Sequence, residues 1–173
     1  MNIRKAILTD ASDIARVHVD SWRTSYKNII PDEFLKKLSY DQRTDLWTRN
    51  INKEGNYVFV AENDDGEIVG FADCGKRETN HVEHSGDLTS IYILEEYKET
   101  GIGKQLMKQL FIQFRELGYL KVFVEVLEDN KSRYFYEKYG AELIGTQSIT
   151  LGDAELSLLI YEWNDLSEVI SKL

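Results

Sequence analysis

Residues 88–118 read LTSIYILEEYKETGIGKQLMKQLFIQFRELG, and this stretch decides the fold. Leu88, Ile91, Tyr92, Ile93 and Leu94 are the aliphatic, β-branched and aromatic residues that a buried strand favours. From Ile102 the apolar spacing becomes helical, with Leu106, Leu110 and Phe114 four apart and Met107 and Phe111 widening the stripe. Gly118 stands where a glycine ends a helix. Between strand and helix lies Lys98-Glu99-Thr100-Gly101-Ile102-Gly103-Lys104. Its glycines allow a tight turn and close backbone approach, and the free N–H groups of the helix's first turn face out of the loop. That combination suits a pyrophosphate.

Several phosphate-loop patterns compete for this segment. A Walker A loop needs a glycine where Lys98 stands and a hydroxyl where Gln105 stands. A dinucleotide fingerprint needs a third glycine at the position of Leu106. A glycine turn that merely caps the helix is the plainer alternative. Further along, Asn130 precedes Lys131-Ser132-Arg133-Tyr134-Phe135-Tyr136-Glu137-Lys138-Tyr139-Gly140-Ala141, a short helix opened by an Asn and closed by a glycine.

Together the two segments resemble the GCN5-related N-acetyltransferases (GNAT). In that family [Q/R]-x-x-G-x-[G/A] follows a strand and opens a long helix. Lys98-x-x-Gly101-x-Gly103 fills the pattern, with Lys in place of Gln or Arg. The later segment is similar to the family's Asn-initiated helix carrying Phe-Tyr-Glu-Lys. Asn130 lies one residue closer to the Phe-Tyr pair than in the commonest form, and Ala141 replaces a Phe. The resemblance implies one domain over residues 1–173, of mixed α/β fold. Its central sheet would be mixed and mostly antiparallel, with a splayed parallel strand pair and flanking helices.

The resemblance also implies roles. Acetyl-CoA would be the co-substrate, with no metal. Its pantetheine arm would lie along Ile91, Tyr92 and Ile93 like an added strand, in the gap toward Lys121–Leu127. Its pyrophosphate would meet the Lys98–Lys104 turn, and Asn130, Ser132 and Tyr136 would border the same site. A backbone N–H near Ile93 would receive the oxyanion. Tyr136 takes the family's general-acid position, protonating a thiolate whose ordinary pKa is about 8.5; packing among Tyr134, Phe135 and Tyr139 is the plainer role. Asp87 matches a position where many relatives carry the general base, though a carboxylate there also serves to solvate a strand end. Glu83 and Glu125 are less well placed.

The rest of the chain reads around this centre. Ile3–Leu8 is an opening strand, and Thr9 or Asp10 caps a helix with Ile14, Val17 and Trp22 inward. Trp22 and Tyr26, one turn apart, fit either core packing or an aromatic wall beside the acceptor. Pro31 opens short helices at Asp32–Leu38 and Gln42–Asn50. Asn56–Ala61 and Glu67–Cys74 form a hairpin around Asn63-Asp64-Asp65-Gly66. Lys76–Ser85 is polar and irregular, and its His81 and His84 lack a third ligand for a metal. Glu142–Thr150 and Ala154–Trp163 form a closing hairpin.

Composition sets the outer limits. A chain of 173 residues with 42% hydrophobic and 29% charged residues suits one soluble globular domain. A net charge of −9 opposes binding to nucleic acid or an anionic membrane. The N-terminus has no long apolar run, and the lone Cys74 suits a reducing compartment, so cytoplasm is the expected location. The expected function is acetyl transfer to a primary amine of a small molecule, amino acid or peptide. Acidic and aromatic residues in the helices and the Lys76–Asp87 segment favour a cationic acceptor. A non-catalytic acyl-CoA-binding domain, another acyl group, and a homodimer all stay open.

Overall fold

The computed structural model describes residues 1–173. Seven strands form one sheet: β1 (Asn2–Lys5), β2 (Asn56–Glu62), β3 (Ile68–Gly75), β4 (Ser85–Ile93), β5 (Lys121–Leu127), β6 (Glu142–Leu151) and β7 (Ala154–Trp163). They lie in the order β1-β2-β3-β4-β5-β7-β6. All neighbours are antiparallel except β4 and β5, so the mixed sheet expected from the sequence is the one observed. Helices α1 (Ala11–Ser25), α2 (Asp32–Lys36) and α3 (Tyr40–Asn52) precede β2, α4 (Ile102–Glu116) joins β4 to β5, and α5 (Arg133–Lys138) precedes β6. Helix α6 (Leu166–Lys172) ends the chain.

The strand pleat divides the helices between two faces. Phe71 meets His18 of α1, whereas a Cβ added at the next residue back, Gly70, would sit 3.5 Å from Ile102 of α4. Helix α5 shares the α4 face, because Tyr136 and Phe111 both pack edge-on against Trp163. The main core fills the space on both sides with Ile14, Val17, Phe71, Leu106, Phe111, Phe114 and Trp163. A separate, smaller cluster joins Val19, Tyr26, Ile30, Leu35, Leu38 and Leu127 to residues of the β6–β7 hairpin. No helix is long and apolar enough to cross a membrane.

Two irregularities shape the centre. Parallel pairing of β4 with β5 covers only Ser85–Leu88 against Lys121–Val124. Beyond that β4 stays on β3 as far as Ile93, and β5 stays on β7 as far as Leu127, so the two strands part. At the parting point Asp73 faces Ser90 while Cys74 faces Leu88, leaving Thr89 as an unpaired, exposed bulge.

Element ends differ from the sequence reading where side chains have other partners. The opening strand stops at Lys5, and Leu8–Asp10 is a 3-10 turn. Asp10 precedes α1 but gives its carboxylate to Arg4 and to the Ile7 N–H instead of capping the helix. Helix α3 starts earlier than expected, at Tyr40, because Ser39 Oγ accepts the Gln42 N–H. Asn130 makes a turn, its Oδ1 accepting the Ser132 N–H, and α5 begins only at Arg133.

Candidate active site

The parting of β4 from β5 leaves the β4 edge at Ile91–Ile93 without a strand partner on that side. A cavity of about 770 Å³ opens there. Ile91, Tyr92, Ile93, Lys98, Glu99, Gly103, Asn130, Ser132 and Tyr136 all border it, so nine of the positions singled out in the sequence converge on one space. Ser25 at the end of α1, and Lys27, Asn28 and Ile29 after it, form a wall that the sequence reading did not include, as do Asp129, Lys131 and Phe135.

The glycine loop is built for close backbone approach. Gly101 has φ +90°, a left-handed conformation that glycine adopts without strain, and Glu99 beside it has φ +63°. The first intrahelical bond of α4 runs from the Gln105 N–H to the Gly101 carbonyl at 3.1 Å. Ile102, Gly103 and Lys104 therefore present N–H groups at the positive end of the helix dipole. Gly103 faces the cavity, and a Cβ there would lie 3.3 Å from Ile93 Cδ1. The other loop positions serve the turn itself. Thr100 Oγ1 donates to the Tyr97 carbonyl at 2.6 Å, the Ile102 side chain is buried in the core, and Lys104 points to solvent. Lys98 Nζ donates to Ser25 Oγ at 3.2 Å and to Glu95, tying the loop to the end of α1.

Tyr136 is buried and borders the cavity. Burial, and secondarily the Tyr26 hydroxyl, raises its pKa above the ordinary tyrosine value, so the hydroxyl stays protonated at neutral pH. Tyr92 lies between Tyr136 and α1. Its hydroxyl meets that of Tyr26 at 3.1 Å, and its ring stacks on His18 at 5.5 Å between centroids. Trp22 packs edge-on against Tyr26 at 4.8 Å. Trp22 and Tyr26 thus form an aromatic group behind Tyr92, and neither borders the cavity. Helical spacing put them on one face but carried no information about which neighbour that face meets.

Asp87 has a different geometry from the one expected of a free proton acceptor. It is buried, and it accepts hydrogen bonds from the Arg77 backbone N–H, Arg77 Nε and Asn80 Nδ2. The same guanidinium forks onto both oxygens of Glu125, each at 2.9 Å. Arg77 therefore clamps two carboxylates on adjacent strands, and Asp87 anchors the polar segment after β3. A third carboxylate, Asp73 on β3, lies across from Ser90 and has no ion-pair partner. A second cavity, of about 320 Å³, reaches Asp73, Arg77 and Thr89 from the side of α3.

Comparison with known proteins agrees with this geometry. The chain is 36% identical over 167 residues to the uncharacterised N-acetyltransferase YuaI of Bacillus subtilis (strain 168), covering 96% of this chain and 95% of that protein. A crystal structure of ribosomal-protein-alanine N-acetyltransferase from Brucella melitensis superposes with a TM-score of 0.77 at 24% identity, covering 95% of this chain and 99% of that one. The PaiA N-acetyltransferase of Thermoplasma acidophilum, solved in complex with coenzyme A, gives a TM-score of 0.74 at 22% identity over 94% and 98% of the two chains. Residues 18–141, which run from α1 through the parted strands to the end of the α5 segment, match the acetyltransferase (GNAT) family, and the chain belongs to that family.

Proposed function

We propose that this GNAT acetyltransferase moves an acetyl group from acetyl-CoA to a primary amine of a small molecule, amino acid or peptide, by direct transfer. The observation that carries the reading is the convergence of an unpaired strand edge, a glycine-turned helix start and Tyr136 on one cavity. The cavity's volume, about 770 Å³, is within the range of small-molecule sites. The donor fits on three counts. Backbone N–H groups at Ile102–Lys104 suit its pyrophosphate, and Lys27, Lys98 and Lys131 on the cavity wall offset the carboxylates of Glu95, Glu99 and Asp129 beside them. The Ile91–Ile93 edge suits the amides of its pantetheine arm. An arm entering past the glycine loop and running along β4 ends near Thr89, where the strands close.

The chain's own residues then supply what the transfer needs. A β4 N–H near the end of that arm donates to the developing oxyanion. Tyr136 donates to the departing sulfur. PaiA was solved with coenzyme A, which supports the donor proposed here, and the Brucella protein is a ribosomal-protein-alanine N-acetyltransferase, which supports an amine acceptor. Calorimetry with CoA, followed by thiol release from acetyl-CoA across a panel of amines, tests the reading. Binding of CoA with turnover of at least one amine is the expected result. Binding without turnover of any amine would favour an acyl-CoA-binding module instead.

A further inference from the structure

Asp73 is a buried carboxylate in the middle of β3, on the face that carries α1 and α3. It pairs with Ser90 across the sheet, and Ser90 Oγ donates to Asp73 Oδ1. Ser90 follows the Thr89 bulge on β4 and is partly exposed. The cavity of about 320 Å³ connects Asp73 and Thr89 to solvent from the end of the sheet opposite the glycine loop. Of the carboxylates near the point where β4 and β5 part, Asp87 and Glu125 share Arg77 as an ion-pair partner. Asp73 has no such partner.

We infer that Asp73 and Ser90 form the proton-accepting pair of the transfer, and that the cavity bordered by Asn56, Asp73, Arg77 and Thr89 admits the acceptor amine. The inference rests on the acetyl-transfer reading above. As the amine nitrogen bonds to the thioester carbonyl carbon, its proton passes to Ser90 Oγ and the Ser90 proton passes to Asp73 Oδ1. The carbon–sulfur bond breaks, and Tyr136 supplies the proton that the sulfur takes. Asp73 returns its proton to solvent and Tyr136 regains one, so the net change is amine plus thioester to amide plus thiol.

Burial pushes the Asp73 carboxyl up to about 6, against hydrogen bonds from Ser90 and Asn56 that favour its charged form. That value suits a base working near neutral pH, where a carboxylate at its ordinary value would have too little proton affinity. The charged and titratable groups around it come from several elements. Lys53 and Glu54 follow α3, Lys76 and Arg77 follow β3, Tyr119 precedes β5, and Asp87 lies on β4. His18, facing β3 from α1, is kept neutral by burial. An unpaired buried carboxylate also destabilises the fold at neutral pH, so a purely structural role would be better filled by an amide.

The test uses the full-length protein with acetyl-CoA and two acceptors, a peptide with an N-terminal alanine and spermidine, followed by thiol release from about pH 5 to 9. Wild type should show a limb in kcat/KM rising through about pH 6. Asp73→Asn should lose that limb and lower kcat by about 10²- to 10⁴-fold. It should bind CoA like wild type by calorimetry and melt at a higher temperature at neutral pH. Ser90→Ala, which leaves the buried carboxylate in place, should lower kcat at least about 10-fold and provides the second test should Asp73→Asn misfold. A limb that survives in Asp73→Asn, or that disappears in Glu125→Gln instead, overturns the inference. So does full activity in Ser90→Ala, or wild type that binds CoA but releases no thiol with either acceptor. Failure of wild type to bind CoA would sink the donor reading itself.

Discussion

Replacing Gly103 by Val separates donor binding from folding. The new Cβ would stand 3.3 Å from Ile93 Cδ1 and 3.6 Å from Phe135 Cζ, so the two γ-methyl groups must occupy the cavity mouth or push Ile93 aside. In a helix Val is favoured over Gly by a few tenths of a kcal/mol, while overpacking costs about 1–3 kcal/mol. The net loss of stability, up to about 2 kcal/mol, lowers the melting temperature by about 4–8 °C in a chain of this size. Donor affinity should suffer more. A backbone N–H that can no longer reach phosphate forfeits a hydrogen bond to a charged group, about 1.5–3 kcal/mol each, or roughly 10- to 150-fold in Kd. Calorimetry with CoA and a thermal melt on the same sample read the two effects apart. Gly118→Ala is the control. With φ +73° and no atom within 4 Å of its added Cβ, it strains a turn far from the cavity and should leave CoA affinity unchanged. Equal CoA affinity in wild type and Gly103→Val would refute the assignment of the glycine loop.

Removing only the hydroxyl of Tyr136, as Tyr136→Phe, should lower kcat by about 10- to 1000-fold while CoA affinity holds, and unchanged turnover would return the residue to a packing role. Arg77→Ala leaves Asp87 buried without its cation and Glu125 without its fork, so stability should fall by about 1–3 kcal/mol in urea unfolding; a change under about 0.5 kcal/mol would mean the clamp contributes nothing. Burial holds His18 down at about 3, whereas an unfolded histidine titrates near 6.5. The unfolded chain therefore takes up the extra proton between those values, and this alone lowers stability on acidification from about pH 6.5 by up to about 1.4 kcal/mol per unit; the raised Asp73 carboxyl acts in the opposite sense below about 6, so the slope is read in Asp73→Asn, where that offset is gone. His18→Phe should flatten that slope, and an identical slope would show that other groups set it.

What was legible in the sequence was local. The Gly101–Gly103 turn, the α4 stripe and the Asn130–Gly140 segment each lie within a short span, and their spacing carries their geometry. The shared cavity of Ile91–Ile93, Gly103 and Tyr136 followed once those segments were linked to a known arrangement. What escaped depended on pairing between strands. Asp73 sits in an ordinary strand run, and only the register set by the Thr89 bulge brings it opposite Ser90. Asp87 looked free because Arg77 is ten residues away along a segment with no periodicity, yet the two meet in space. The same limit applied to Trp22 and Tyr26, whose neighbour Tyr92 lies on another element.

The smaller apolar cluster has a mechanical consequence. Tyr26, Ile30 and Leu35 reach it from the end of α1 and from α2, and Ile149, Leu151, Leu156 and Leu158 reach it from the β6–β7 hairpin. At the hairpin tip a Cβ added at Gly152 would lie 3.9 Å from Phe34 and Pro31, so the tip sits close against the start of α2. Few side chains hold this contact, whereas the main cluster contains 34 buried residues. Its amides should therefore exchange with solvent deuterium through partial openings that leave the central strands protected. Such an unlatching would free one flank of the parted strands while the central sheet stays folded.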